Sequence, residues 1–240
     1  QFVFTNSTVT KITLTDKSVL TNLVWNSQGE LSSALLTTPS NTKYNFVNKV
    51  ITLITLPDGA LIYSITWDTR NQITKGVLKY PDNTKYVFSN GKIISIVLPD
   101  NSTITSLVWD EQGSFKNGVL TDPQKNQFGF VNNKIAGMVL VGGTKIQNIV
   151  WDSQGNLQNA LVIDPQGVKY TYINGSISTI TQTDGGIISG ITWDLEGKID
   201  KALLNYKDNT RYLFALGQIT SILLPDNSQV SNITWDTEGQ

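Results

Sequence analysis

Six tryptophans, Trp25, Trp67, Trp109, Trp151, Trp193 and Trp235, are all that the chain contains, and each follows the last by 42 residues. Asp follows five of them, at Asp68, Asp110, Asp152, Asp194 and Asp236, and Asn26 follows the first. No insertion or deletion disturbs the spacing, so the chain is a tandem repeat and its 240 residues form one array rather than two separate cores. A second aromatic series lies midway at Phe4, Phe46, Phe88, Phe130, Tyr172 and Phe214, so that aromatic positions recur every 21 residues. The repeats run 1–42, 43–84, 85–126, 127–168, 169–210 and 211–240, the last incomplete.

The third repeat shows what one unit folds into. Lys85-Tyr86-Val87-Phe88 places its aromatics two apart, the signature of a strand with one buried face. Asn90-Gly91 then predicts a tight hairpin, since both residue types tolerate positive φ. A second strand, Ile93 to Leu98, is closed by Pro99-Asp100-Asn101, where Pro sets φ and Asp accepts local backbone hydrogen bonds. The third strand runs from Ile104 to Trp109, and Asp110-Glu111-Gln112-Gly113 turns the chain into a fourth, Phe115 to Leu120. The last position of that turn is Gly29, Asn71, Gly113, Gly155, Gly197 and Gly239, as expected where the backbone enters the left-handed region. All seven prolines fall in turns between strands. The expectation is four short antiparallel strands per repeat and no helix.

The strands do not simply alternate. Ile93, Ile96 and Leu98, then Ile104, Leu107 and Trp109, then Ile73, Gly76 and Leu78 each step by three and then by two, which points to a bulge or a strong twist near the strand start. The opposite face is also rich in apolar residues, with Val97, Val108 and Val119 in one repeat and Val139, Val150 and Leu161 in the next. Strands apolar on both faces are expected between stacked sheets.

Two all-β architectures accommodate this pattern. A 42-residue repeat of four strands with Trp-Asp closing the third resembles a β-propeller blade of the WD-repeat kind, and six tryptophans then imply a six-bladed β-propeller. The Gly-His half of that signature has no counterpart, because the chain has no histidine. The half-repeats, Gly91-Lys92-Ile93 through Pro99-Asp100 and Gly155-Asn156-Leu157 through Asp164-Pro165, resemble the YD repeats of Rhs-like toxins. That resemblance implies an open, spiralling β-sheet able to enclose a cargo. Uniform repeat length favours the closed ring, in which blades pack on one another and shield sheet edges.

The chemistry on offer is narrow. Without histidine or cysteine there is no usual general base, thiol nucleophile or thiolate zinc site. The recurring aspartates sit at turn starts, where a structural role is expected, and the calcium-loop spacing is absent. No catalytic residue, metal or other cofactor is therefore expected, and the ligand-binding residues are not identified by sequence. A net charge of −1 offers nothing to nucleic acid, and no apolar run is long enough to span a membrane. The tryptophans are expected to be equivalent and buried; the competing reading is a set of indole platforms for sugar rings.

The expected function is a non-enzymatic binding module, extracellular or at a surface, with a carbohydrate or protein ligand. A structural scaffold forming a surface layer, fibre or toxin shell is the alternative. The final repeat stops before its fourth strand, so association into a homo-oligomer through that edge is a further expectation.

Overall fold

The computed structural model describes residues 1–236, which form 23 β-strands and no helix. They divide into two units, Gln1–Pro123 and Gln124–Gln240. The first holds β1 (Phe2–Thr5), β2 (Thr8–Thr13), β3 (Val19–Trp25), β4 (Leu31–Thr37), β5 (Lys43–Val47) and β6 (Val50–Thr55). It continues with β7 (Leu61–Trp67), β8 (Ile73–Lys79), β9 (Lys85–Ser89), β10 (Lys92–Val97), β11 (Thr103–Trp109) and β12 (Phe115–Thr121). The second holds β13 (Gln127–Val131), β14 (Lys134–Val139), β15 (Lys145–Trp151), β16 (Leu157–Ile163), β17 (Lys169–Ile173) and β18 (Ser176–Thr181). It ends with β19 (Ile187–Trp193), β20 (Ile199–Asn205), β21 (Arg211–Ala215), β22 (Gln218–Leu223) and β23 (Gln229–Ser231). The turn expected at Gly239 lies outside the described residues; of the edge strand expected from Val230 to Trp235, β23 covers Gln229–Ser231, and among the described residues it pairs with β22 alone.

Two kinds of turn make each unit a meander. Between β9 and β10, Asn90 and Gly91 take φ of 50° and 73°, the double left-handed pair of a type I′ hairpin. Asn6-Ser7, Asn48-Lys49, Asn132-Asn133, Asn174-Gly175 and Leu216-Gly217 do the same. The other connections are three-residue loops that end on a left-handed residue. At Asp110, the Asp110 N–H donates to Ser114 O (2.9 Å) and the Gly113 N–H to Asp110 O (3.0 Å). Gly113, Gly155 and Gly197 have φ of 78°, 85° and 77°, so the expected glycine requirement holds, although the loop is one residue shorter than four. The Asp110 carboxylate accepts the N–H groups of Gln112 (3.1 Å) and Ser114 (2.8 Å), which confirms its role in the turn.

The ladder does not stop between repeats. β4 pairs with β5 from Ser33↔Val47 to Thr37↔Lys43, and β8 with β9 from Lys75↔Ser89 to Lys79↔Lys85. In the second unit β16–β17 and β20–β21 pair over the same five positions. Separate propeller blades require the sheet to part at these junctions. Within each unit the strands instead form one continuous antiparallel sheet, and the first strand of the chain pairs only with β2 among the described residues. The open-sheet alternative is the one that fits.

The ladder is thinnest inside a repeat. β10 and β11 share only Ile96↔Ile104 and Val97↔Thr103. Beyond these, Ile94 is looped out of the β9–β10 ladder and Ser106 turns left-handed with φ 53°, so the strands splay. The equivalent residues of the other repeats, Asn22, Ser64, Asn148, Gly190 and Asn232, have φ between 51° and 58°. This is the bulge that the three-then-two spacing predicts.

One face carries an unbroken apolar row. In the first unit Ile54, Ile62, Leu78, Tyr86, Ile96, Ile104 and Leu120 stand opposite one another on successive strands. Such cross-strand pairs each add roughly 0.2–1 kcal/mol. Full burial is nevertheless scarce: Ala34, Ile54 and Ala60 are the buried apolar residues of the first unit, and Ile149, Ala160, Ala202 and Leu204 those of the second. The expectation of strands covered on both faces is corrected here, because Val108 and Val150 on the other face are exposed. Among the described residues there is no helix to cover either face, and none to cross a membrane.

Candidate binding clefts beside the tryptophans

Where the second and third strands of a repeat part, a cleft opens, and a tryptophan forms its wall. Its largest form, 590 Å³, is lined by Gly91, Lys92 and Ile93 on one side and by Leu107, Val108, Trp109, Asp110 and Gly113 on the other. The same cleft recurs one repeat later, 390 Å³, between Lys134-Ile135 and Trp151 to Gly155. One repeat earlier it is 360 Å³, lined by Lys49, Val50 and Ile51 against Trp67 and Asn71, with Phe46 at its base.

The six tryptophans are therefore not core residues. Trp25, Trp193 and Trp235 are 38%, 41% and 38% exposed, and Trp67, Trp109 and Trp151 are half-buried. The expectation of burial fails for a physical reason: neither unit contains the interior that six indoles would have filled. Aromatic identity at every repeat is kept on a wall that faces solvent.

The indoles are held in two ways. The Trp67 Nε1–H donates to Ile51 O (3.3 Å), Trp151 to Ile135 O (2.7 Å) and Trp235 to Ile219 O (2.8 Å), always sixteen residues upstream. These carbonyls lie where the ladder has parted, so the indole replaces a strand as their donor. Trp109 instead meets Phe115 edge to face, ring centres 6.0 Å apart at 76°.

The polar rim is modest. Asp68, Asp110 and Asp194 each present Oδ1 to two backbone N–H groups of their turn, and Oδ2 takes no hydrogen bond among the described residues. At Asp152, Asn156 donates to Oδ2 (3.0 Å), and its side chain and backbone together hold the Asp152 carboxyl below its ordinary value. Lysines at 49, 92 and 134 stand on the opposite lip. Among the described residues no three histidines, cysteines or carboxylates gather as a metal site would require.

The six tryptophans and their glycine-ended turns were legible in the sequence. The left-handed residue three positions before each Trp was not picked out, although its column of Asn22, Ser64, Ser106, Asn148, Gly190 and Asn232 carried the signal. Those residue types tolerate positive φ. The upstream lip, with Lys92 and the Ile93 carbonyl, left no comparable mark.

No family model matches the chain, and no curated protein matches it. Among solved structures, the TCP10 domain of Danio rerio CPAP is similar at 13% identity and a TM-score of 0.38, over 93% of this chain and 98% of that one. A TcdB2–TccC3–Cdc42 toxin complex is similar at 11% identity and TM-score 0.22, over 95% of this chain and 15% of that one. The C-terminal WD40 domain of Sif2 is similar at 13% identity and TM-score 0.18, over 84% of this chain and 68% of that one. All three TM-scores lie below the level at which a neighbour's shape or ligand informs this chain. The chain is a tandem array of antiparallel β-strands with neighbours among toxin and WD40 structures.

Proposed function

We propose that this chain is a non-enzymatic, multivalent binding protein whose Trp-walled clefts take sugar rings. The observation that carries this reading is the recurrence of one open cleft, every 42 residues, with a partly exposed indole on its wall. A flat indole face suits the C–H face of a pyranose, and a carboxylate with one unused oxygen suits its hydroxyls. Repeated weak sites along one chain give avidity without any new contact. We read the array as open, since a six-bladed ring would need breaks at the repeat junctions. The low charge and Thr/Asn-rich surface support a place outside the cell or on its surface. The aspartates of the clefts are engaged in their turns, which supports binding rather than acid–base catalysis.

A glycan array probed with the fluorescently labelled chain tests this, with Trp109→Ala and Trp193→Ala as controls. Retention on pyranose-containing glycans that weakens with each substitution is the expected result. No retention on any glycan, with the protein folded, would overturn the reading and leave the structural scaffold as the better account.

A further inference from the structure

The indoles are not all held alike, and the difference has a period of two repeats. The even repeats use their indole N–H internally: Trp67, Trp151 and Trp235 each donate to the carbonyl sixteen residues upstream. In the odd repeats Trp25, Trp109 and Trp193 make no such bond among the described residues, although Ile93 and Ile177 offer carbonyls at the same spacing. The residue type of the acceptor does not explain this, since Ile51, Ile135 and Ile219 fill the same position in the even repeats. At Trp109 the indole leans edge-on against Phe115. The consequence is visible in size: the cleft beside Trp109 is 590 Å³, those beside Trp67 and Trp151 are 360 and 390 Å³. An indole tethered across the gap narrows it; an untethered one leaves it wide and keeps its donor.

We propose that the clefts alternate between a closed, structural kind and an open, ligand-taking kind, and that Trp25, Trp109 and Trp193 are the sites of ligand binding. This rests on the sugar-binding reading above and specifies it. In the open clefts an indole face stacks on the pyranose while its Nε1–H donates to a ring or hydroxyl oxygen. A tethered indole can offer only its face, because its N–H already has a partner. Lys92 lines the lip opposite Trp109, its equivalents in the other two odd repeats are Thr8 and Ser176, and the residue after the indole is Asn26, Asp110 and Asp194. No charge is common to all three lips, so the ligand recognised alike at every open site is a neutral hexopyranose.

Two triple variants separate the claims: Trp25→Phe, Trp109→Phe and Trp193→Phe together, and Trp67→Phe, Trp151→Phe and Trp235→Phe together. Phe keeps an aromatic face and removes the donor. Isothermal titration with cellotriose and lactose, with sialyllactose as the charged control, reads affinity and number of sites. The expected result is three sites per chain in the parent. The odd triple should lose about tenfold or more in affinity, as for loss of one hydrogen bond to a ligand, and the even triple should bind as the parent does. Six equal sites, an even triple that loses as much as the odd one, or a preference for sialyllactose would each overturn the alternation while leaving sugar binding intact. Absence of binding to every probe would overturn both. Indole N–H exchange by NMR tests the alternation on the parent chain without any ligand. Trp67, Trp151 and Trp235 should exchange more slowly than Trp25, Trp109 and Trp193, and equal exchange in all six would overturn the alternation.

Discussion

Replacing Leu216 by Asn is predicted to stabilise the protein. Leu216 is the first residue of the type I′ turn joining β21 to β22 and sits at φ 52°. The five equivalent turns place Asn there, at Asn6, Asn48, Asn90, Asn132 and Asn174. A left-handed backbone costs an ordinary L-residue about 1–2 kcal/mol, and Asn is among the few that adopt it readily. The leucine side chain returns little, because it is 85% exposed. Relief of the backbone should therefore dominate, with a gain of about 1 kcal/mol. With a urea slope of about 2.5 kcal/mol/M, the midpoint of the transition that includes β21 and β22 should rise by about 0.4 M. The reciprocal change, Asn90→Leu, should lower the midpoint by a similar amount. Equilibrium unfolding in urea, followed by far-UV circular dichroism, reads both. If Leu216→Asn leaves the midpoint unchanged or lowers it, the turn is not of the type described, or Leu216 makes a contact that the structure does not contain.

Gly113→Val should destabilise by about 1–2 kcal/mol or more, since Gly113 has φ 78° and an added Cβ meets nothing within 4 Å, so the whole loss is backbone strain. Asn71→Gly, at the matching position, should stay within a few tenths of a kcal/mol; equal denaturant midpoints for the two variants would contradict the turn geometry. Acid should weaken the fold only at low pH. The Ser102 backbone N–H and hydroxyl hold the Asp100 carboxyl below its ordinary value of 3.8, and the same groups of Ser18 and Thr210 do so for Asp16 and Asp208. At Asp226 the Ser228 hydroxyl acts first and its N–H second. A depressed folded-state pKa contributes stability above the unfolded value that is lost as pH falls through the folded one, so melting temperature should be flat from about pH 5 to 8 and decline below about 4. With no histidine in the chain, a transition near pH 6 would contradict this.

Much of this fold was legible because its signals are local. Asn90-Gly91 announces its own turn, and Ile104, Leu107 and Trp109 announce the bulge that contains Ser106. The junction between repeats was also written in turn chemistry. Tyr80-Pro81-Asp82-Asn83-Thr84 closes with the Asn83 N–H on Tyr80 O (3.0 Å), as the Gly113 N–H does on Asp110 O. Read as a hairpin, that segment already implies that β8 pairs with β9 and that no blade boundary falls there. Layering was not legible. Val108 and Val150 mark a second apolar face, but a β-branched residue on a strand suits an exposed pleat as well as a buried one. The exposure of the tryptophans follows from that missing layer, and a period in the sequence says that positions are equivalent without saying what covers them. The alternation in indole hydrogen bonding left no trace in the type of the acceptor, since Ile93 and Ile177 match Ile51, Ile135 and Ile219.

The most direct measurement of the central claim is the native tryptophan emission of the chain with and without acrylamide and with cellotriose. Indoles that wall open clefts should emit to the red of buried indole, be quenched readily by acrylamide, and lose part of that quenching when the sugar occupies the clefts. Blue-shifted emission that resists acrylamide and ignores the sugar would place the six tryptophans in a core, and would contradict both the open sheet and the clefts built on it.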